Sequence, residues 1–237
     1  MAKAELGVLL QDLRGKAGNV VFQKSKEGLI VRPRVRGTNP NTPAQVAVRT
    51  SLTRASQAYE ALNPTQYLAW KNYASTQIRH SGAKSYSPTA INAFTELAAK
   101  FLQVNPTGTI PLTPPSTEFI GDTITITASA SAGKVTYTAN AANATNVKTE
   151  FLLQPLKNVN RKPAAKGYRS KGFYSFVGGS LTRDITVPAG FYAVGYRFVN
   201  NLTGQATEPV YLPLQTVTLS LSDGGKNTKP ANQAKAA

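Results

Sequence analysis

Asn105-Pro-Thr-Gly-Thr-Ile-Pro-Leu-Thr-Pro-Pro115 is the stretch at which this chain changes character. Its four prolines cannot continue a helix, since each lacks a backbone N–H and its ring crowds the preceding turn. The composition predicts a semi-stiff spacer. Upstream of it apolar residues recur at helical spacing; downstream, Thr123-Ile-Thr-Ile-Thr127 alternates at period two, the signature of a half-buried strand. The pattern predicts a multidomain α+β chain: a basic arm with a β-hairpin over 1–42, a helical module over 43–104, the linker over 105–115, an antiparallel β-sandwich over 116–221 and a flexible tail over 222–237.

The helical part opens each element with the same grammar. Thr42-Pro43, Asn63-Pro64 and Ser87-Pro88 each set a capping side chain before a proline at the first helical position, where the missing N–H costs nothing and the ring presets φ. The first helix carries Val46, Leu52, Ala55, Tyr59 and Leu62 near helical spacing. The second, from Asn63 to about residue 78, carries Tyr67, Trp70, Tyr73 and Ala74 as a stripe, which at this period reads as core before it reads as a base-stacking platform. The third, from Ser87 to about residue 104, repeats the theme with Ile91, Phe94, Leu97, Ala98, Phe101 and Leu102. Residues 79–86 are polar, contain Gly82 and read as a loop.

Beyond the linker, strands are expected at 123–127, 135–138, 148–153, 173–177, 181–187, 190–200 and 210–221, with Gly, Asn and Pro at the breaks. Within them Val187-Pro-Ala-Gly-Phe-Tyr-Ala-Val-Gly-Tyr-Arg-Phe-Val-Asn-Asn-Leu-Thr-Gly-Gln-Ala-Thr-Glu-Pro209 resembles the closing hairpin of an immunoglobulin-like or fibronectin-type-III module: a strand, an Asn-rich turn ending in Thr203-Gly204, then a final strand. The resemblance implies an antiparallel Ig-like β-sandwich over the C-terminal half, an architecture that names no function by itself.

At the other end, residues 18–36 read as a hairpin, with 18–23 β-prone, 24–28 a polar turn and Leu29-Ile-Val31 resuming the strand. Arg32, Arg34 and Arg36 follow at period two, so an extended chain sends all three side chains off one face; Pro33 between them suits an edge strand or an arm. Gly15-Lys-Ala-Gly-Asn-Val-Val-Phe-Gln23, Gly28-Leu-Ile-Val-Arg-Pro-Arg-Val35, Asn39-Pro-Asn-Thr-Pro-Ala-Gln-Val-Ala-Val-Arg49 and Leu62-Asn-Pro-Thr-Gln-Tyr-Leu-Ala-Trp70 together resemble uncharacterised structural proteins of tailed bacteriophages and prophages. That resemblance implies a virion or assembly role and not a catalytic one.

Composition narrows the chemistry. There are 27 basic and 11 acidic residues, a net charge of +16, with eight of the cations in residues 1–42. Such a balance points to nucleic acid, an anionic surface or an acidic protein neighbour. Without cysteine there is no disulfide, thiolate ligand or cysteine nucleophile, and a lone His80 builds no histidine metal cluster. The apolar run near the N-terminus is too short for a signal peptide, and no stretch approaches the roughly 20 apolar residues that cross a bilayer. Glu118 and Asp122 are the only near pair of carboxylates in the sandwich and read as turn charges; His80 has no sequence neighbour to act with; Gly178-Gly179-Ser180 lacks the lysine of a phosphate loop and reads as a hairpin turn.

Two basic clusters are the candidate contact residues: Lys24, Lys26, Arg32, Arg34 and Arg36 on the N-terminal hairpin, and Arg161, Lys162, Lys166, Arg169 and Lys171 in a loop between strands of the sandwich. Arginine suits bidentate pairing with a partner's carboxylates as well as phosphate, so a protein interface is preferred, with nucleic acid as the alternative and a solvated edge as the plain reading. The expectation is a non-catalytic structural component of a bacteriophage virion (tail, head–tail junction or capsid decoration), made in the host cytoplasm, with no cofactor, no metal and no membrane contact. Its partners are other virion proteins and copies of itself in a symmetric assembly. The alternative is a basic nucleic-acid-binding protein. An adhesion module comes third, with Tyr168, Phe173 and Tyr174 as its aromatic candidates.

Overall fold

The computed structural model describes residues 2–4, 13–25, 28–35, 37, 39–81 and 84–219. Lys26, Arg36 and the expected tail over 222–237 lie outside the described residues. The chain divides into two compact units, Met1–Val46 and Ala47–Ala237. Among the described residues it holds three α-helices and several antiparallel sheets, a mixed α+β protein.

In the first unit β1 (Ala2–Ala4), β2 (Gly15–Ala17), β3 (Val20–Ser25) and β4 (Gly28–Pro33) form one sheet in the order β1-β4-β3-β2. The expected hairpin is the β3–β4 pair, in register from Val20↔Pro33 to Ser25↔Gly28. Gly18 and Asn19, expected at the head of a strand, are instead the turn between β2 and β3, and Gly18 has the positive φ of 55° that such a turn needs. β4 is an interior strand, where an edge was expected. Pro33 is tolerated because β1 pairs only with Leu29, Ile30 and Val31, leaving the proline past its reach.

The second unit holds the remaining sheets and the helices, except for the first turn of the first helix, which falls in the first unit. Helix α1 (Pro43–Glu60) begins at a capping box, in which the Gln45 N–H donates to Thr42 Oγ1 (3.4 Å) and the Thr42 N–H to Gln45 Oε1 (3.3 Å). Helix α2 (Pro64–Thr76) repeats it with Asn63 and Gln66, at 2.8 and 3.0 Å. The third helix departs from the pattern. Helix α3 (Ala90–Val104) is capped by Thr89, without a side-chain bond, and Ser87 Oγ donates to the Ser75 carbonyl instead (3.4 Å). The reason is the segment before it: β5 (Arg79–Ser81) and β6 (Lys84–Tyr86), expected as a loop, pair as a short hairpin that holds residue 86 extended. Arg79 of this hairpin is ion-paired to Glu96 of α3.

Trp70, Phe94, Ala98, Phe101 and Leu102 form the helical core, so the aromatic stripe is core as its spacing implied, although Tyr67 at its edge is half exposed. Residues 105–115, read as a spacer, are packed onto this core. Ile110 is buried in it, Trp70 Nε1 donates to the Leu112 carbonyl (2.8 Å), and Arg54 donates to the carbonyls of Pro106 and Gly108. Prolines stiffen a chain whether it is free or packed, so composition alone does not separate the two cases.

The strands that follow are β7 (Ile126–Ser131), β8 (Lys134–Ala139), β9 (Val147–Leu156), β10 (Arg169–Tyr174), β11 (Thr182–Thr186), β12 (Gly190–Asn200) and β13 (Val210–Val217). They form two antiparallel sheets, β11-β8-β7 and β10-β9-β12-β13. One core is shared between them, containing Ile126, Val135, Tyr137, Phe151, Leu153, Val194 and Phe198. Tyr137 is wholly buried, and its hydroxyl reaches the carbonyls of Leu152 (3.3 Å) and Gly195 (3.4 Å), so burial holds it protonated as a donor.

The caps give a direct check. Asn63→Ala is expected to lower the unfolding free energy by about 1 kcal/mol, and Ser87→Ala to change it by less than about 0.5 kcal/mol, in urea denaturation followed by circular dichroism. Equal losses from both would refute the reassigned start of α3.

Candidate functional site

The second unit is organised around the outer face of the larger sheet. Strand β9 is buried on both sides, so Glu150, which its pleat turns away from the core residues Phe151 and Leu153, lies under cover at 1% exposure. A carboxylate taken out of water needs compensation. Arg197, its direct partner on β12, donates from Nε to Oε2 at 2.6 Å. Lys100 of α3 reaches both oxygens, at 3.2 and 3.1 Å, and lies 5.6 Å from the centre of the Phe173 ring. Burial alone would push the Glu150 carboxyl up, but the Arg197 hydrogen bond and the two cations outweigh it and hold the group below the usual carboxylate range. Lys100 is pulled below the usual lysine value by burial, against the attraction of Glu150.

The helix is seated at two further points. Asn105 Nδ2 donates to the carbonyl of Asn201 (2.9 Å) and to its side chain (2.6 Å). Gly204, at φ 77°, presses the β12–β13 turn onto α3, where a Cβ would run into the Leu97 carbonyl and the Phe101 nitrogen. Only glycine suits both the dihedral and the contact.

Further along the same face lies an apolar groove. It has a volume of about 450 Å³ and is lined by Pro163, Ala165, Tyr168, Ala193, Tyr211, Leu212 and Leu214, without a charged side chain. Three local devices build it. Gly195 stands opposite Tyr211, and a Cβ there would meet the Val210 carbonyl at 2.7 Å and the Tyr211 ring at 3.3 Å; the absent side chain makes room for Tyr211 on the sheet. The register of β13 slips between Tyr192 and Val194, so Pro213 and Leu214 together oppose Ala193, and the bulge turns Leu214 out with Tyr211 where strict alternation would have left it with Leu212. Gln154 holds the crossing loop down: its Oε1 accepts from the Ala164 N–H (3.2 Å), and its amide fills the space beside Gly167. The loop then delivers Tyr168, whose ring lies 4.8 Å from that of Tyr211 at 36°.

The sequence-marked cations fall around this groove and on the separate N-terminal sheet. Arg161, Lys162 and Lys166 are exposed on the loop that also supplies Pro163 and Ala165 to the groove. Arg169 and Lys171, expected in a loop, sit on β10, and Arg169, still exposed, donates from Nη1 to the carbonyls of Lys166 (3.0 Å) and Tyr168 (3.3 Å). On the N-terminal sheet the register separates residues that were grouped. Lys24 stands opposite Leu29 and Arg32 opposite Val21, which puts them on opposite faces of the β3–β4 pair. Arg34 lies just past β4, with its N–H on the Asn19 carbonyl (2.7 Å).

The acid–base candidates do not converge. Asp122 accepts from the backbone of Thr123 and Ala144 and from Asn143, a turn anchor; Glu118 lines a different cleft, beside Tyr73 and Gln205; and His80 Nδ1 is 3.0 Å from Ser85 Oγ across the β5–β6 hairpin. Of the three aromatics considered for adhesion, Phe173 lies beside Lys100 and Tyr174 packs on the core beneath Arg183, so only Tyr168 reaches the groove. Glu150, Arg197, Lys100 and Tyr211 were not singled out from sequence. The signal was there for Glu150: one acid inside an apolar run, in a strand apolar on both faces, has to be paired.

Glu150→Gln is expected to cost about 3 kcal/mol, because it leaves two cations facing a neutral amide. The pH dependence has a definite sign. The folded pKa of Glu150 lies below its ordinary value of 4.5, so its stabilisation is complete above that value and is lost as pH falls through the folded pKa. Urea denaturation at neutral and acid pH should show the wild type losing this increment in acid and the variant lacking it throughout. Parallel pH profiles would refute the assignment.

No family model matches the chain, and no curated protein matches it. Among solved structures it is similar to a Bacillus amyloliquefaciens CBM33 in complex with Cu(I) after photoreduction, at 19% identity and a TM-score of 0.28. The match covers 39% of this chain and 56% of that one, and a superposition this loose says nothing about chemistry here.

Proposed function

We propose that this protein is a non-catalytic structural component of a bacteriophage particle, in the tail, the head–tail junction or the capsid decoration, acting through protein–protein contacts. The observation that carries the reading is the groove on the outer sheet face: a built apolar surface, with Tyr211 51% exposed, beside a cationic loop. Interfaces concentrate tyrosine and arginine in such patches. Val48 and Leu52 on α1 add apolar surface of the same kind, at 60% and 50% exposure. The setting in a phage comes from the resemblance of residues 10–75 to uncharacterised structural proteins of tailed phages and prophages.

The β11-β8-β7 and β10-β9-β12-β13 sheets make an Ig-like sandwich in this proposal. Their order places the first, second and fifth strands in one sheet and the fourth, third, sixth and seventh in the other. Compared with the constant-type immunoglobulin arrangement, the fourth strand has changed sheets. In this reading the sandwich supplies a rigid platform, the helices brace its outer face, and copies of the chain join with other virion proteins in a symmetric array.

Mass spectrometry of density-purified particles tests the assignment. A fixed copy number relative to the major shell protein, unchanged by a high-salt wash, is the expected result. Absence from the particle would end it, and loss on washing would favour the nucleic-acid reading, whose affinity falls steeply with salt.

A further inference from the structure

Between residues 151 and 183 the chain carries seven cationic side chains and no Asp or Glu. This acid-free window contains the crossing loop over the groove. The juxtaposition is therefore an uncharged floor, formed by Ala193 and Leu214, an aromatic wall formed by Tyr168 and Tyr211, and exposed cations at Arg161, Lys162 and Lys166 on the loop that closes it. Each ingredient selects something different in an occupant. The groove's volume suits one or two apolar side chains and excludes a folded element. The loop cations favour carboxylates, which a guanidinium or ammonium binds while remaining solvated at a rim.

We propose that this groove docks a short acidic segment of a partner protein, with one aromatic or aliphatic anchor seated between Tyr168, Tyr211 and Leu214 and its flanking Asp or Glu residues on Arg161, Lys162 and Lys166. The inference rests on the assembly reading above and names the partner chemistry of that same surface. A second copy of this chain is a poor source of that acidic segment for this groove, since it carries 11 acidic residues against 27 basic ones. Nucleic acid fits poorly for a different reason. Single strands want aromatic faces free to stack on bases, whereas these two rings pack against each other at a tilt of 36° and the remaining lining is aliphatic. Strand addition along β13 is also disfavoured, because Pro213 at the bulge removes an N–H from that edge.

The test is a random-peptide display selection on the full-length protein, counter-selected with Leu214→Asp. The charged variant Lys162→Glu/Lys166→Glu, altered only at exposed positions, serves as a second probe should Leu214→Asp fail to fold. The expected winners carry two or more acidic residues around one aromatic or leucine. As synthetic peptides they should bind either folded variant about tenfold or more weakly than wild type, which corresponds to about 1.4 kcal/mol, and weaken as salt is raised. Neutral or basic winners, winners insensitive to both substitutions, or winners displaced by a mixed-sequence DNA oligonucleotide would each overturn the proposal. The purified protein reports on the groove whether or not it belongs to a particle, so failure here and failure of the virion assignment are separate results.

Discussion

Glu150 sits in a strand buried on both faces, and a carboxylate there has to be matched by cations or give up its charge. The match comes from two sources: Arg197, one strand over on the same sheet, and Lys100, which arrives from α3. The second makes the ion cluster an architectural constraint. Hydrophobic surface would let a helix slide or rotate on a sheet at modest cost, because apolar contact has little direction. An ammonium aimed at two carboxylate oxygens does not slide freely, since a displaced helix leaves a charge buried without its partner. Asn105 on Asn201 and the close approach at Gly204 act at the end of the same helix, so three contacts of different chemistry agree on one placement.

The groove lies farther along the same face. Helix α3 engages the outer face of the large sheet through Glu150, at the β9–β12 ladder step shared with Arg197, while Gln154 anchors the crossing loop farther along β9. Tyr211 and the bulge-displaced Leu214 lie alongside that loop. Groove residues held this way stand on strands and on a pinned loop, an arrangement that would lower the ordering cost of the proposed association.

The parts of this molecule legible in the sequence are those governed by local rules. Asn63 and Thr42 announce their helices because the cap, the proline and the third residue are contiguous, and period-two alternation marks Ile124 and Ile126 as the buried side of their strand even though regular pairing begins only at Ile126. What escaped was decided by distant partners. Ser87-Pro88 satisfies the same local grammar as the other two pairs, yet the hairpin of Arg79–Ser81 with Lys84–Tyr86 delays the helix to Ala90. The bulge at Pro213 and Leu214 is invisible without β12 opposite it. Residues 105–115 announce their stiffness but not the Trp70 and Arg54 side chains that hold them down.

The cations show the same division between local and distant causes. A net charge of +16 favours negatively charged neighbours in general, but does not say which face would meet one. Register does part of that sorting: Lys24 and Arg32, neighbours in a charge count, leave opposite faces of the N-terminal sheet and cannot track one phosphate backbone together. On the sandwich the sorting runs the other way. Arg169 has one guanidinium nitrogen on two backbone carbonyls at the foot of the loop, while Arg161, Lys162 and Lys166 share that loop with residues that line an apolar groove. A cation beside apolar surface makes a more selective site than either alone, because an occupant has to satisfy both in one short span. That requirement separates an acidic segment with an anchor from a bare polyanion.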